Sequence, residues 1–315
     1  MGASATRITR QDLVTPAEFR GLDATGDPAG RVGGTRIELV KVGGETRLGA
    51  CYQQIPVRVM PPFSLDNEPA ALLYLINLTA GLMDGDGHRI DVTARSGTRA
   101  VVTGQSASRV HPAVNGYASQ QWSVTVEDDA CLVVLPGPTI PFRGSRYYQR
   151  GRVRLAPTAS LIWGDIWLPG RHERGVLSEQ FQFDRIVQDC EVHRAGRLIY
   201  RDRFCWNGPW TAEEAGWYWG GSMACGSLFV AGPVPEVFPE PASNLRRSVF
   251  PLDTGACCVR WCGEPTAVAA DLVRVALQLG SHAVAGPGAR PWLLDSTDLA
   301  PNHWFSAPVA SRDTA

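Results

Sequence analysis

Three stretches of the chain repeat one pattern of apolar and polar positions: VTARSGTRAVVTG from Val92, VTVEDDACLVVLP from Val124 and VRLAPTASLIWGD from Val153. In each, two alternating apolar positions lead into a three-residue polar turn, a small residue, one spacer and three apolar residues in a row. A recurrence of about 30 residues signals stacked supersecondary units rather than a single closed core. Stacked copies bring equivalent positions into register. The residues just beyond each apolar triplet, Thr103 to Gln105, Pro136 to Thr139, and Gly164 with Asp165, are therefore expected along one edge of the stack, and the function is expected there.

The remainder of the chain reads as a mainly β fold of the β-helix-like, solenoid type with a small C-terminal helical portion. The 33 Gly and 23 Pro are spread along the sequence, which predicts many short strands and turns. Thr35 to Val59 reads as a hairpin around Gly43-Gly44, Leu72 to Leu78 as a buried strand, and Glu191 to Phe204 as a strand pair around Ala195-Gly196. Trp206, Trp210, Trp217, Tyr218 and Trp219 lie close together, as core or interface aromatics do. One helix is predicted over about 265–279: Pro265 starts it, Val268, Leu272, Val275, Ala276 and Leu279 form its apolar stripe, and Gly280 stands just past its end. Residues 1–34 lack periodicity and are expected to be a flexible N-terminal arm. Residues 35–315 are expected to be a single β domain, with a tail whose Trp292, Trp304 and Phe305 suggest docking.

Charge and motif content remove several function classes. The formal net charge is -1, with Arg scattered rather than clustered, so no nucleic-acid partner is expected. The longest apolar run, around Ala70 to Leu78, is too short to span a bilayer, and the first twenty residues lack the apolar core of a secretory signal. No membrane association is expected, and the eight cysteines are read as reduced thiols of a cytoplasmic protein. A phosphate-binding loop needs a lysine after its second glycine, yet Lys41 is the sole lysine and lies between two valines. GQSAS from Gly104 and GGSMA from Gly220 each miss the last glycine of a nucleophile elbow. No two of the six histidines form an H-x-x-x-H pair. ACCVRWC alternates like a strand, which puts Cys258 and Cys262 roughly 13 Å apart, too far to share a metal without outside ligands.

What remains is a sparse set of oxygen-bearing residues at strand ends: Asp84, Asp86, Thr103, Gln105, Asp165, Glu179 and Asp202. Asp-Gly-Asp-Gly at 84 to 87 also reads as plain turn chemistry, and Asp165 as a strand terminator. Oxygen donors in a partly hydrated passage would equally suit a hard or borderline divalent ion held weakly and in transit.

At these residues the sequence resembles a known family. TAGLMDGD from Thr79, TGQSASRV from Thr103, PGPTIPFRG from Pro136, WGDIWLPGR from Trp163 and EQFQFDR from Glu179, in this order, are similar to the urease accessory proteins of the UreD type, also called UreH. The resemblance implies a mainly β scaffold that is not an enzyme. It implies partners too: urease apoprotein subunits, a UreF-type accessory protein, and through it a UreG-type GTPase. Nickel is implied as cargo passing through an internal channel to the urease active site, not as a tightly bound cofactor. Matched by motif, Asp86, Thr103, Gln105, Asp165, Glu179 and Asp202 become the candidate channel-lining residues. Two other functions stay open on the residues alone. One is a solenoid enzyme with carboxylate pairs along a polysaccharide groove; the other is a metal-free interaction scaffold.

Overall fold

The computed structural model describes residues 6–22, 30–64, 70–171, 179–234, 238, 240–241 and 245–285. Two β-sheets and one long helix form three layers. The first sheet has seven strands: β1 (Val32–Val42), β2 (Glu45–Gln54), β6 (Gly87–Ala94), β9 (Ala118–Val126), β12 (Arg146–Leu155), β14 (Arg185–Arg194) and β15 (Arg197–Asn207). Their spatial order is β15-β14-β12-β9-β6-β1-β2. The second sheet is built on β3 (Val57–Val59), β5 (Ala71–Asn77), β7 (Arg99–Gly104), β10 (Cys131–Leu135), β13 (Ser160–Trp167), β16 (Ala224–Ala231), β17 (Arg246–Pro251) and β18 (Cys257–Gly263). Its main path runs β17-β18-β16-β13-β10-β7-β5-β3. The short strands β4 (Phe63–Ser64), β8 (Ser108–Val110) and β11 (Pro138–Pro141) attach to its side.

Each repeat contributes one strand to each sheet, and the copies lie in register. Val92 pairs with Val124, Val124 with Val153, and Val153 with Val192, all in parallel. In the other sheet Val101 pairs with Val133 and Val133 with Ile162. Parallel sheets are normally covered on their faces, which suits the unbroken apolar triplets. Antiparallel hairpins close the ends, β1/β2 turning at Gly43-Gly44 and β14/β15 at Ala195-Gly196. All four turn residues have positive φ, the backbone that a two-residue hairpin loop requires. The protein is thus mainly β with a long C-terminal helix, and its two sheets do not close into a barrel.

One apolar cluster fills the space between the sheets, joining Val92, Val124 and Val153 to Val102, Val134 and Leu161, with Trp122 edge-on to Trp163 at 5.7 Å. The short helix α1 (Ala212–Trp219) links β15 to β16, and a second cluster lies on the outer face of the larger sheet, beneath the long helix α2 (Pro265–Ala285). All five residues of the expected stripe, Val268, Leu272, Val275, Ala276 and Leu279, are buried there. Gly164 makes this seating possible, because a Cβ on it would lie 2.8 Å from Leu135 and 3.0 Å from Leu272. The helix does not stop at Gly280. It continues to Ala285 because Ala283 and Val284 pack against the same cluster, and that burial outweighs the glycine.

A buried ion pair fastens the helix. Asp271 accepts from Arg247 Nη1 at 2.9 Å and from Trp261 Nε1 at 2.8 Å, and pairs with Arg274 one turn along. The side chains of Arg247 and Asp271 are only 5% and 7% exposed.

The expected flexible arm over residues 1–34 needs correction for residues 6–22. Ile8 and Phe19 are buried, Phe19 stacking on Tyr117 at 4.5 Å. Gln54 and Gln121 exchange paired hydrogen bonds with the backbones of Ile8 and Val14. The polar, aperiodic composition concealed this, because the segment is held by side-chain amides of the sheet rather than by a pattern of its own. Strand β1 accordingly begins at Val32, ahead of Thr35. The aromatic tail residues Trp292, Trp304 and Phe305 lie outside the described residues. Among the described residues no helix is long and apolar enough to cross a membrane.

Candidate functional site

Four residues ahead of each repeat valine, the inner face of the seven-stranded sheet turns polar. His88 pairs in register with Gln120, Gln120 with Gln149, and Gln149 with Gln188. This row crosses four parallel strands between two apolar clusters. On one side lie Val92, Val124, Val153 and their neighbours; on the other lie Tyr147, Ile186, Trp167 and Phe183. Buried polar groups of this kind must be satisfied by one another, and the row largely achieves it. Gln149 donates to Asp165 Oδ1 at 2.5 Å, Trp163 Nε1 donates to Asp165 Oδ2 at 2.6 Å, and Trp167 Nε1 donates to Gln188 Oε1 at 2.9 Å. Gln188 in turn donates to Asp202 Oδ2 at 3.3 Å, and Arg260 meets the same oxygen at 2.9 Å.

At the other end the row opens into a cavity of about 60 Å³, lined by His88, Gln120, Trp122, Asn77, Thr79 and Ser106 among others. His88 is buried and its Nε2 has no hydrogen-bond partner. Burial pushes its pKa down to about 4, so the imidazole is neutral at pH 7. The unfolded chain binds this proton near 6.5 and the folded chain does not. The stabilising contribution is therefore complete above pH 6.5 and fades as pH falls toward 4. Over that window His88 should account for a loss of about 3 kcal/mol. Denaturant unfolding of His88→Leu between pH 7 and 4 should show an acid loss smaller by about that amount; an unchanged acid limb would refute the assignment.

Among the described residues Asp165 is the most perturbed carboxylate. Burial raises its pKa to about 6 and Asp202 adds to the rise, while the bonds from Trp163 and Gln149 and the charge of Arg260 oppose it. The site is thus poised to change charge near neutrality, a property of groups that handle protons or cations.

The structure brings together two of the six residues expected from sequence, Asp165 and Asp202. Thr103 is fully buried but pairs with Leu135, which faces α2, so it lies on the opposite face of the sheet from Asp165. Gln105 is exposed just past β7. Asp86 is buried, with both carboxylate oxygens engaged by backbone amides of Arg31 and Met83, as turn chemistry requires. Asp84 likewise accepts from the amides of Val114, Asn115 and Gly116. Glu179 pairs with Arg171 in the loop after β13, and that guanidinium holds its pKa below the usual carboxylate range.

Sequence reasoning missed His88, Gln120, Gln149, Gln188 and Arg260. A signal was present for the first four. His88, Gln120 and Gln149 precede the three repeat valines by four residues, and Gln188 stands likewise before Val192, at the opposite end of the unit from the apolar triplets whose far edges drew the expectation. Arg260 carried no such signal, because its partner Asp202 comes from the other sheet.

A family model, described as UreD urease accessory protein, matches residues 31–304. The chain belongs to the UreD urease accessory protein family. Similar proteins agree. A UreD of Sorangium cellulosum is 28% identical over 88% of this chain and 90% of its own length, and one of Lysinibacillus sphaericus is 30% identical over 69% and 84%. The UreD 2 of Streptomyces griseus is 32% identical over 57% of this chain and 61% of its own length. In that protein and two like it, the match spans about three fifths of the relative. The family and these relatives are named as accessory proteins of urease. The glutamine row and its two aspartates occupy the heart of the UreD-matched region.

Proposed function

We propose that this protein is a urease maturation scaffold through which nickel passes to the urease apoprotein. In this reading it binds apo-urease and recruits a UreF-type protein, and through it a UreG-type GTPase, in the cytoplasm, where eight free thiols are at home. The parallel rungs act as a solenoid-type stack that aligns weak donors.

The observation that carries the reading is the row from buried His88 through half-buried Gln120 and buried Gln149 and Gln188 to buried Asp165 and half-buried Asp202. Amide oxygens, one neutral imidazole and two carboxylates suit a borderline divalent ion, and their spread along the row keeps any one stop weak. Nickel is cargo here; its partial dehydration would be offset in turn by these donors. The exposed Gln105, the turn residue Asp86 and the loop residue Glu179 would serve at the ends, and Thr103 as support beneath the row.

The polysaccharide reading is weaker. Asp165 is 5% exposed and enclosed by Trp163 and Gln149, so a polymer chain has no access to it.

The test is reconstitution with apo-urease, the UreF-type and UreG-type partners and Ni²⁺. Gln149→Leu combined with Gln188→Leu should preserve the complex on size exclusion but cut the rate of nickel loading roughly tenfold, as expected for about 1.4 kcal/mol added to a barrier. An intact complex with unchanged nickel loading would leave the metal-free scaffold standing instead.

A further inference from the structure

Strands β16 and β18 place two cysteines directly opposite each other. Cys225 pairs with Cys262 in the antiparallel register, both are half-buried, and their Sγ atoms lie 3.7 Å apart. Strand alternation explains why these two meet. On β18, Cys257, Val259 and Trp261 join the cluster beneath α2, which turns Cys258, Arg260 and Cys262 to the other face. There Cys258 lies 3.8 Å from the Tyr200 hydroxyl, Arg260 binds Asp202, and Cys262 reaches Cys225. The separation of Cys258 from Cys262 along the strand is no obstacle, because the second sulfur comes from the neighbouring strand.

The spacing, at which two thiols are also within hydrogen-bonding reach, fits one metal geometry better than others. Two thiolates bound to one cation at about 2.3 Å and 3.7 Å from each other subtend an angle of roughly 107° at the metal, close to tetrahedral. A linear two-coordinate ion would need sulfurs about 4.6 Å apart, and cis positions of a square plane about 3.3 Å, at the same bond length. Charge also balances, since two thiolates and a divalent cation sum to zero in a half-buried place. Neighbouring guanidinium groups are already engaged, Arg260 by Asp202 at 2.9 Å and Arg246 by Ser222 Oγ at 2.7 Å.

We propose that Cys225 and Cys262 form a two-thiolate site for a thiophilic divalent cation of tetrahedral preference, of the zinc type, with its remaining positions filled by water. The site adjoins the glutamine row, since Cys225 pairs in register with Trp167, which donates to Gln188, but its ligands are its own and it stands whether or not that row conducts nickel.

Cobalt(II) is the probe. The full chain is stripped with chelator and reductant, transferred to anaerobic buffer, and titrated. One Co²⁺ per chain should bind with thiolate-to-metal charge-transfer absorption and tetrahedral d–d bands, and Zn²⁺ should bleach both. Cys225→Ser and Cys262→Ser should each abolish the charge-transfer band, whereas Cys258→Ser should retain it. In the unmutated chain, Zn²⁺ should protect Cys225 and Cys262, identified by peptide mass, from alkylation; this readout requires no variant to fold. Absence of the band and of protection would overturn the proposal, as would a band that survives both serine variants. Recovery of Cys225 and Cys262 as a disulfide that excludes cobalt would overturn it in favour of a redox pair.

Discussion

Asp271→Ala is expected to destabilise the protein by about 3–5 kcal/mol, because it removes a buried carboxylate on which Arg247, Arg274 and Trp261 converge. Arg247, with a side chain 5% exposed, would lose the carboxylate that binds it at 2.9 Å, and Trp261 Nε1 would lose its acceptor. The damage should be local first. α2 spans the outer face of the larger sheet and covers Leu135, Leu228 and Val259, so amide exchange should rise in residues 265–285 and in the strands beneath them. Arg247→Met combined with Asp271→Leu should recover much of the loss, since removing both charges also removes their desolvation cost. A loss below about 1 kcal/mol in urea unfolding of Asp271→Ala would mean that the pair behaves as a solvated surface contact.

Asp165→Asn should produce the opposite sign. The folded-state pKa of Asp165 is raised to about 6 from an ordinary 3.8. Below pH 4 the carboxyl is protonated in both states and contributes no pH dependence. As pH rises through 4 to 6 the unfolded chain gives up its proton more readily, and the folded state is penalised progressively. At pH 7 the penalty reaches about 3 kcal/mol at most. Asparagine removes it while keeping the shape: its carbonyl can still accept from Trp163, and Gln149 can rotate its amide to present oxygen. Stability by denaturant unfolding should therefore rise at pH 7 and match the unmodified chain near pH 4. The same substitution should slow nickel loading of urease in the reconstituted system, the trade-off expected where a functional group is held in a costly setting. Equal stability at both pH values would refute the buried charge. Greater stability with undiminished nickel loading would remove Asp165 from the passage.

Much of the architecture was legible because it repeats. The repeat period, the two hairpin turns and the apolar stripe of α2 are local patterns, and each is found where periodicity places it. Three features were not legible. The attachment of residues 6–22 depends on Gln54 and Gln121, which are distant in sequence. The end of α2 depends on packing of Ala283 and Val284, against the local signal of Gly280. The meeting of Cys225 and Cys262 depends on which strand lies beside β18.

The sequence alone determined that copies of one strand-turn-strand unit must stack, since neither half of a copy can bury its apolar residues unaided. It also carried the ordered motifs of the UreD family. Only the tertiary structure decided which side chains share a face. A strand sends alternate residues to opposite sides, so Thr103 and Asp165 are separated by the sheet while Gln149 from the facing sheet reaches Asp165 at 2.5 Å. Contacts between sheets have no fixed sequence spacing, and for that reason the row at the centre of the molecule appears only once the two sheets are laid together.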